Sequence, residues 1–318
     1  MSWIIGIDEA GYGPNLGPFV MTAVACRAPD DLAGADLWDV LRAAVCKDSS
    51  DDGRIVVNDS KQVYDSATGI GTLERGVLAT LWRGPSSGTA TVGQLLSAAC
   101  ADSLDDLRSE TWFTGDGKLP GQVEVNEIAE ASARFDRAGD ASGVLHWQVC
   151  GVLVPAPRFN ALAERADSKG AVLGHALGRL LARNLELQDE SLSFVIDKHG
   201  GRNRYAALIQ HVLADGVVQA EEEGPLRSSY CVAGLGRDVR LTFQPRADAE
   251  HFCVALASMA AKYLRERMME EFNRFWVAQV PDLKPTAGYP GDSARFMAAI
   301  RQAARKLGIA EEAIWRKR

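Results

Sequence analysis

No apolar run in the 318-residue sequence approaches the roughly 18 residues that a membrane-spanning helix needs. The opening Met1-Ser2-Trp3-Ile4-Ile5 lacks the basic stretch of a secretory leader, so the expectation is a cytoplasmic protein with no membrane contact. Cysteine is scarce. The six present (Cys26, Cys46, Cys100, Cys150, Cys231, Cys253) lie apart in mostly apolar surroundings, which excludes a zinc-type spacing and gives no disulfide framework. Internal repeats and low-complexity tracts are absent too, which removes solenoids and disordered tails from consideration. An excess of positive charge is also lacking: the net charge is −7, which taken alone argues against a phosphate-rich partner. Its distribution softens that objection. From His251 to Arg318 twelve Lys or Arg face seven Asp or Glu, a local +5 that leaves −12 for the rest.

What is present is an ordinary globular balance, 47% apolar and 24% charged, enough for one large domain. A first strand over Trp3 to Asp8 runs into Asp8-Glu9-Ala10-Gly11-Tyr12-Gly13-Pro14. A strand buried on both faces that ends in two carboxylates places charge at the edge of a dry core. Neighbouring strand residues point to opposite faces, so both acids serve one site only if Asp8 closes the strand and Glu9 lies in the turn, with Gly11 and Gly13 allowing that turn. Gly17 to Cys26 reads as a second strand, and Ile55-Val56-Val57 leads through Asn58-Asp59-Ser60-Lys61 into a helix start. Between 66 and 142 the pattern weakens around glycine-rich pieces, Gly84 to Gly88 and Thr114 to Gly121, which reads as an insertion or small subdomain.

Regular signals return with a strand over Val144 to Val149 and a long amphipathic helix over Arg158 to Leu187. Ser191 to Asp197 is a further strand, ending in Asp197-Lys198-His199-Gly200-Gly201-Arg202. After a strand over Val239 to Phe243, Pro245-Arg246-Ala247-Asp248 opens a long helix reaching Trp276, with Asp248 as its N-cap. Two short helices follow the turn Thr286 to Pro290. This order of strands and helices predicts an α/β sheet flanked by helices, a single domain over 1–318 with a C-terminal helical extension from 264 to 318.

Asp8, Glu9, Asp197 and Asp248 each close a regular element. If the element ends converge, mutual repulsion raises at least one pKa and two hard cations relieve it. Mg2+ suits such oxygen ligands, and a pair of ions supports in-line attack of water on a phosphodiester. Each acid read alone is equally a turn former or helix cap.

Gly6-Ile7-Asp8-Glu9-Ala10-Gly11-Tyr12-Gly13-Pro14, followed by Leu16-Gly17-Pro18, resembles the opening signature of the ribonuclease HII family. Asn58-Asp59-Ser60-Lys61, Val195-Ile196-Asp197, Asp248 with Ala257-Ser258-Met259-Ala260-Ala261-Lys262, and Gly288-Tyr289-Pro290 are similar to its later blocks, in order. The resemblance implies a ribonuclease H-like fold and a metal-dependent endonuclease acting on RNA/DNA hybrids or on ribonucleotides embedded in duplex DNA. It implies that Asp8, Glu9, Asp197 and Asp248 hold two ions, that Lys61, Ser258 and Lys262 lie near phosphates, and that Tyr289 packs on a sugar. The turn Gly11-Tyr12-Gly13 would read the 2′-hydroxyl. Here Tyr12 replaces the usual arginine and could instead stack on a sugar or base. Lys198 and Ala247 replace glycines beside the third and fourth acids, and Glu266 stands in place of aspartate. Arg202, with Lys198 and Arg204, is a candidate phosphate clamp or a solvated loop. Other readings stay open: a junction or broad-specificity nuclease on the same fold, an actin-like phosphotransferase, or a non-catalytic nucleic-acid binder.

Overall fold

The computed structural model describes residues 1–49, 52–64, 69–82, 90–100, 103–187 and 190–317. The glycine-rich piece Gly84 to Gly88 lies outside them. Eleven strands are described: β1 (Ser2–Ala10), β2 (Phe19–Ala28), β3 (Val45–Cys46), β4 (Ile55–Val56), β5 (Ala90–Thr91), β6 (Lys118–Leu119), β7 (Leu145–Val154), β8 (Ser191–Asp197), β9 (Val217–Glu223), β10 (Ser228–Ala233) and β11 (Val239–Gln244). Seven of them form one mixed sheet in the order β7-β2-β1-β8-β11-β10-β9. β1, β8 and β11 run parallel at its centre, and the flanking strands pair antiparallel. The mixed sheet flanked by helices expected from the sequence is therefore present. Ile55-Val56 falls outside it, pairing with β3 in a two-stranded ribbon that delivers Asn58 to Lys61 to helix α2.

Among the described residues the helices are α1 (Leu37–Val40), α2 (Ser60–Val63), α3 (Gly71–Leu81), α4 (Val92–Ala99), α5 (Leu104–Arg108), α6 (Val125–Ser142), α7 (Ala156–Arg165), α8 (Gly170–Asn184), α9 (Ala206–Val212), α10 (Ala247–Glu250), α11 (Phe252–Gln279) and α12 (Pro290–Lys306). None is long and apolar enough to cross a membrane. The two faces of the sheet carry separate apolar cores. Trp3, Ile5 and Ile7 of β1 face α7, α8 and α9 through Phe159, Leu177 and Ile209. The opposite face meets α11, whose first ten residues are all buried. Gly6 makes this approach possible: a Cβ there would stand 2.2 Å from the backbone carbon of Cys253. A buried bond of 2.7 Å from Thr22 Oγ1 to the Ala257 carbonyl fixes α11 against β2. The helices α3 and α6 of the 66–142 stretch join the same core through Leu73, Val77 and Phe135.

Three readings from the sequence are corrected. The helix expected over Arg158 to Leu187 is two helices. Its apolar period continues across the break, but Asp167 takes a left-handed φ of 46°. The Ser168 amide then bonds the Ala163 carbonyl and the Asp167 amide the Glu164 carbonyl, a Schellman closure with aspartate in place of glycine. Asp248 is not an N-cap. Arg246, left-handed at φ 58°, caps the short α10, and Asp248 sits inside it. The tail carries one 17-residue helix, α12, and a single 3-10 turn (Glu311–Ala313) in place of two short helices.

Candidate carboxylate site at the end of the sheet

β1 extends to Ala10, so Asp8 and Glu9 both lie within the strand and pair with Thr22 and Met21. The expectation that Asp8 closes the strand and Glu9 enters the turn is overturned. Strand alternation sends Asp8 to the α11 face, where Ser258 bonds it, and sends Glu9 to the other face. Both still reach one site because β8 stops short: its pairing with β1 ends at Ile7 opposite Ile196. The site thus straddles the exposed end of the sheet. Only Gly11 of the following turn has a positive φ, 83°; Gly13 is exposed with open space around it.

Asp197, the last residue of β8, accepts the Ala247 amide at 2.9 Å through Oδ1, which docks α10 against the strand end. Asp248 is thereby brought beside it. All four acids interact electrostatically. Burial, reinforced by Glu9 and then by Asp197 and Asp248, drives the Asp8 pKa well above its ordinary value, against the Ser258 hydrogen bond. Burial followed by Asp197 pushes Glu9 up to about 8, with Lys61 opposing and Asp248 adding to the rise. Asp248 rises to about 6 through burial and then the Asp59 and Asp197 charges. Burial also raises Asp197, although the Ala247 amide and Lys61 pull it back.

Lys61 is the cation of this group. Burial works against its ammonium, but Asp59, Asp248, Asp8 and Asp197 outweigh that and raise its pKa. Asp59 holds it in place by accepting the Lys61 amide at 2.9 Å as the cap of α2. Ser258 Oγ and Ser60 Oγ are hydrogen-bonded at 3.0 Å, which joins α2 to α11 beside Asp8.

The remaining candidates lie at varying remove. Lys262 is engaged by Glu266 at 2.7 Å and stands 4.0 Å over the Tyr64 ring. Arg202 donates to the Arg204 carbonyl and stacks 5.0 Å from Tyr205, so it does not clamp the acids. Tyr12 meets Phe19 edge-on at 6.2 Å, with Lys169 4.5 Å above its ring. Tyr289 is 48% exposed at the start of α12, and the neighbouring Gly288 carbonyl accepts the amides of Asn15 and Leu16.

Three contributors escaped the sequence reading. Asp59 sits inside a quoted block, yet its carboxyl pairs with Asp248. Arg265 and Arg316, each 1% exposed, support the glycine turn from beneath. Arg316 donates to the carbonyls of Gly11, at 2.7 Å, and Pro14, while Arg265 donates to those of Leu16 and Ala287. Nothing in the sequence separates a buried arginine from a surface one.

The donor set suits hard divalent ions: four carboxylates crowd together, and Glu9 Oε2 is buried without a hydrogen-bond partner. Among the described residues, no group of three or more Asp, Glu, His or Cys side chains stands already arranged as a metal cage. Asp197 and Asp248 are turned toward Ala247 and Asp59, respectively.

The class defined so far is a mixed α/β protein with a carboxylate site at the carboxyl ends of its central parallel strands. No protein-family model and no curated protein sequence matches the chain. Among solved structures it is similar to the RNase HII of the PCNA:RNase HII complex from Archaeoglobus fulgidus, at 16% identity over 99% of this chain and 94% of that one, with a TM-score of 0.47. It is likewise similar to Bst-RNase HIII in complex with Mn2+, at 17% identity over 99% and 66% of the two chains and a TM-score of 0.47. The ribonuclease H2 from Pyrococcus horikoshii OT3 matches at 15% identity over 98% and 92%, with a TM-score of 0.40.

Proposed function

We propose that the protein is an endonuclease of the ribonuclease H type, cleaving the RNA strand of RNA/DNA hybrids or ribonucleotides embedded in duplex DNA. The observation that carries this reading is the gathering of Asp8, Glu9, Asp197 and Asp248 at one sheet end, where burial first and neighbouring carboxylates second raise all four pKa values. Carboxylates crowded in this way favour divalent cations over protons once those cations are supplied. Asp8, Glu9, Asp197 and Asp248 would hold two Mg2+ or Mn2+ ions, which supply Lewis acidity and charge neutralisation at the phosphorus.

The chain's own groups supply positioning. Lys61 presents an ammonium that is held protonated by four aspartates, ready for a nonbridging phosphate oxygen. Ser258 orients Asp8 and stays fixed by Ser60. The turn at Gly11 to Gly13 borders Glu9 and, with Tyr289, forms the rim on which a sugar can rest. A Cβ at Gly11 would stand 2.5 Å from Arg265 Nε, so the turn backbone rests directly on that side chain.

Asp8→Asn tests the reading. Cleavage of a duplex containing one ribonucleotide is expected to disappear, while the thermal midpoint without added metal equals or exceeds that of the wild type, because a strained buried charge is gone. Wild-type-like cleavage by this variant would discard the assignment.

A further inference from the structure

Leu226 is 81% exposed, the most exposed large apolar side chain among the described residues. A lone exposed leucine is unremarkable by itself; the register gives this one its meaning. Gln244 of β11 lies opposite Asp197, Phe243 lies opposite Ser228 of β10, and Ser228 lies opposite Glu223 of β9. The β9–β10 turn, Gly224-Pro225-Leu226-Arg227, therefore projects from the same end of the sheet as the four acids. Its base stands two strand spacings, roughly 10 Å, from Asp197.

The turn is also held firmly. The Gly224 amide bonds the Arg227 carbonyl at 2.8 Å, and Ser228 Oγ donates to the Asn203 carbonyl at 2.7 Å. Lys198, the residue after Asp197, donates through Nζ to the Gly224 carbonyl and, at 2.9 Å, to Asn203. Three arginines lie at this end of the sheet. Arg227 and Arg246 are exposed, and the Arg204 side chain is 89% exposed at 3.7 Å from Glu223. The charge of Arg227 reaches His251, three residues beyond Asp248.

We propose that this tip is a second contact on the substrate duplex, with Leu226 pressed against its sugars and base edges and Arg227 on a backbone phosphate. Apolar side chains of this kind lie against or wedge between base steps, while arginines fix the register through phosphates. The carboxylates Glu221 and Glu222 on the exposed β9 bound the footprint, because phosphates are repelled there. This inference rests on the nuclease reading and names where the duplex lies: across the β11–β10 side of the acids.

The test compares wild type, Leu226→Ser, Leu226→Met and Arg227→Gln in steady-state cleavage of a duplex with one embedded ribonucleotide, and in anisotropy binding of the same labelled duplex. Leu226→Ser is expected to raise KM and Kd about tenfold with kcat within about twofold, and Leu226→Met to restore both. Arg227→Gln should weaken binding and lower the salt slope by about one unit. Thermal midpoints should not change, since the tip buries nothing. Unchanged KM and Kd in both Leu226→Ser and Arg227→Gln overturn the proposal and leave the nuclease reading standing. Wild-type binding without cleavage overturns that reading, and the Kd comparison still decides the role of the tip.

Discussion

At the scale of single residues, the protein concentrates its electrostatic cost where the chemistry is proposed, but not only there. Glu110 is buried, and burial pushes its carboxyl up to about 7, against the hydrogen bond it accepts from Trp112 Nε1 at 2.9 Å. A carboxyl with a raised folded pKa binds more protons in the folded state, so its contribution to stability is favourable below the unfolded value and declines as pH rises through the folded one. Glu110→Gln keeps an acceptor for Trp112 and removes the titration. Denaturant midpoints at pH 5 and pH 8 should show the variant losing less stability than wild type over that interval; equal losses would refute the assignment. Arg316→Met keeps much of the apolar bulk but abandons the carbonyls of Gly11 and Pro14. Leaving buried acceptors unpaired costs about 1 to 3 kcal/mol, visible as a lower midpoint in urea.

At the scale of elements, the decisive contact is β1 on α11, which brings Asp8 to Ser258. Gly6→Ala places a methyl group against the Cys253 backbone, where no side chain can rotate away. Overpacking of this kind costs about 1 to 3 kcal/mol, and cleavage should fall along with stability because Asp8 lies two residues on. Strands with clean apolar alternation were legible from sequence: Ser191 to Asp197 is found as read, with its acid at the end. β9 was not legible, because it is exposed on both faces and rich in glutamate, and only pairing with β10 makes it a strand. Similarly, the apolar period of α7 and α8 runs straight through the left-handed Asp167 that separates them. The acids could be found because Asp8-Glu9 and Asp197 follow apolar runs and Asp248 precedes a long helix. Their convergence needed the topology, since it depends on β8 stopping before β1 does.

At the scale of the whole molecule, the basic segment from His251 to Arg318 proves less available than its charge suggests. Arg265, Arg267 and Arg316 are buried, donating to backbone carbonyls, and Lys262 is paired with Glu266. Binding of duplex is therefore expected to respond only moderately to salt, with a log–log slope of about 3 to 4 from roughly four neutralised phosphates. A slope above about 7 would contradict this placement of charge. Added Mg2+ should raise the thermal midpoint of the wild type by relieving carboxylate repulsion, and should do so much less in Asp8→Asn.

The bond from Arg316 to the Gly11 carbonyl spans 305 positions. During translation the residues that follow Glu9 emerge 305 residues ahead of the arginine that supports Gly11. A growing polypeptide thus carries an unfinished pocket until Arg316 emerges, and maturation of the pocket coincides with completion of that long circuit.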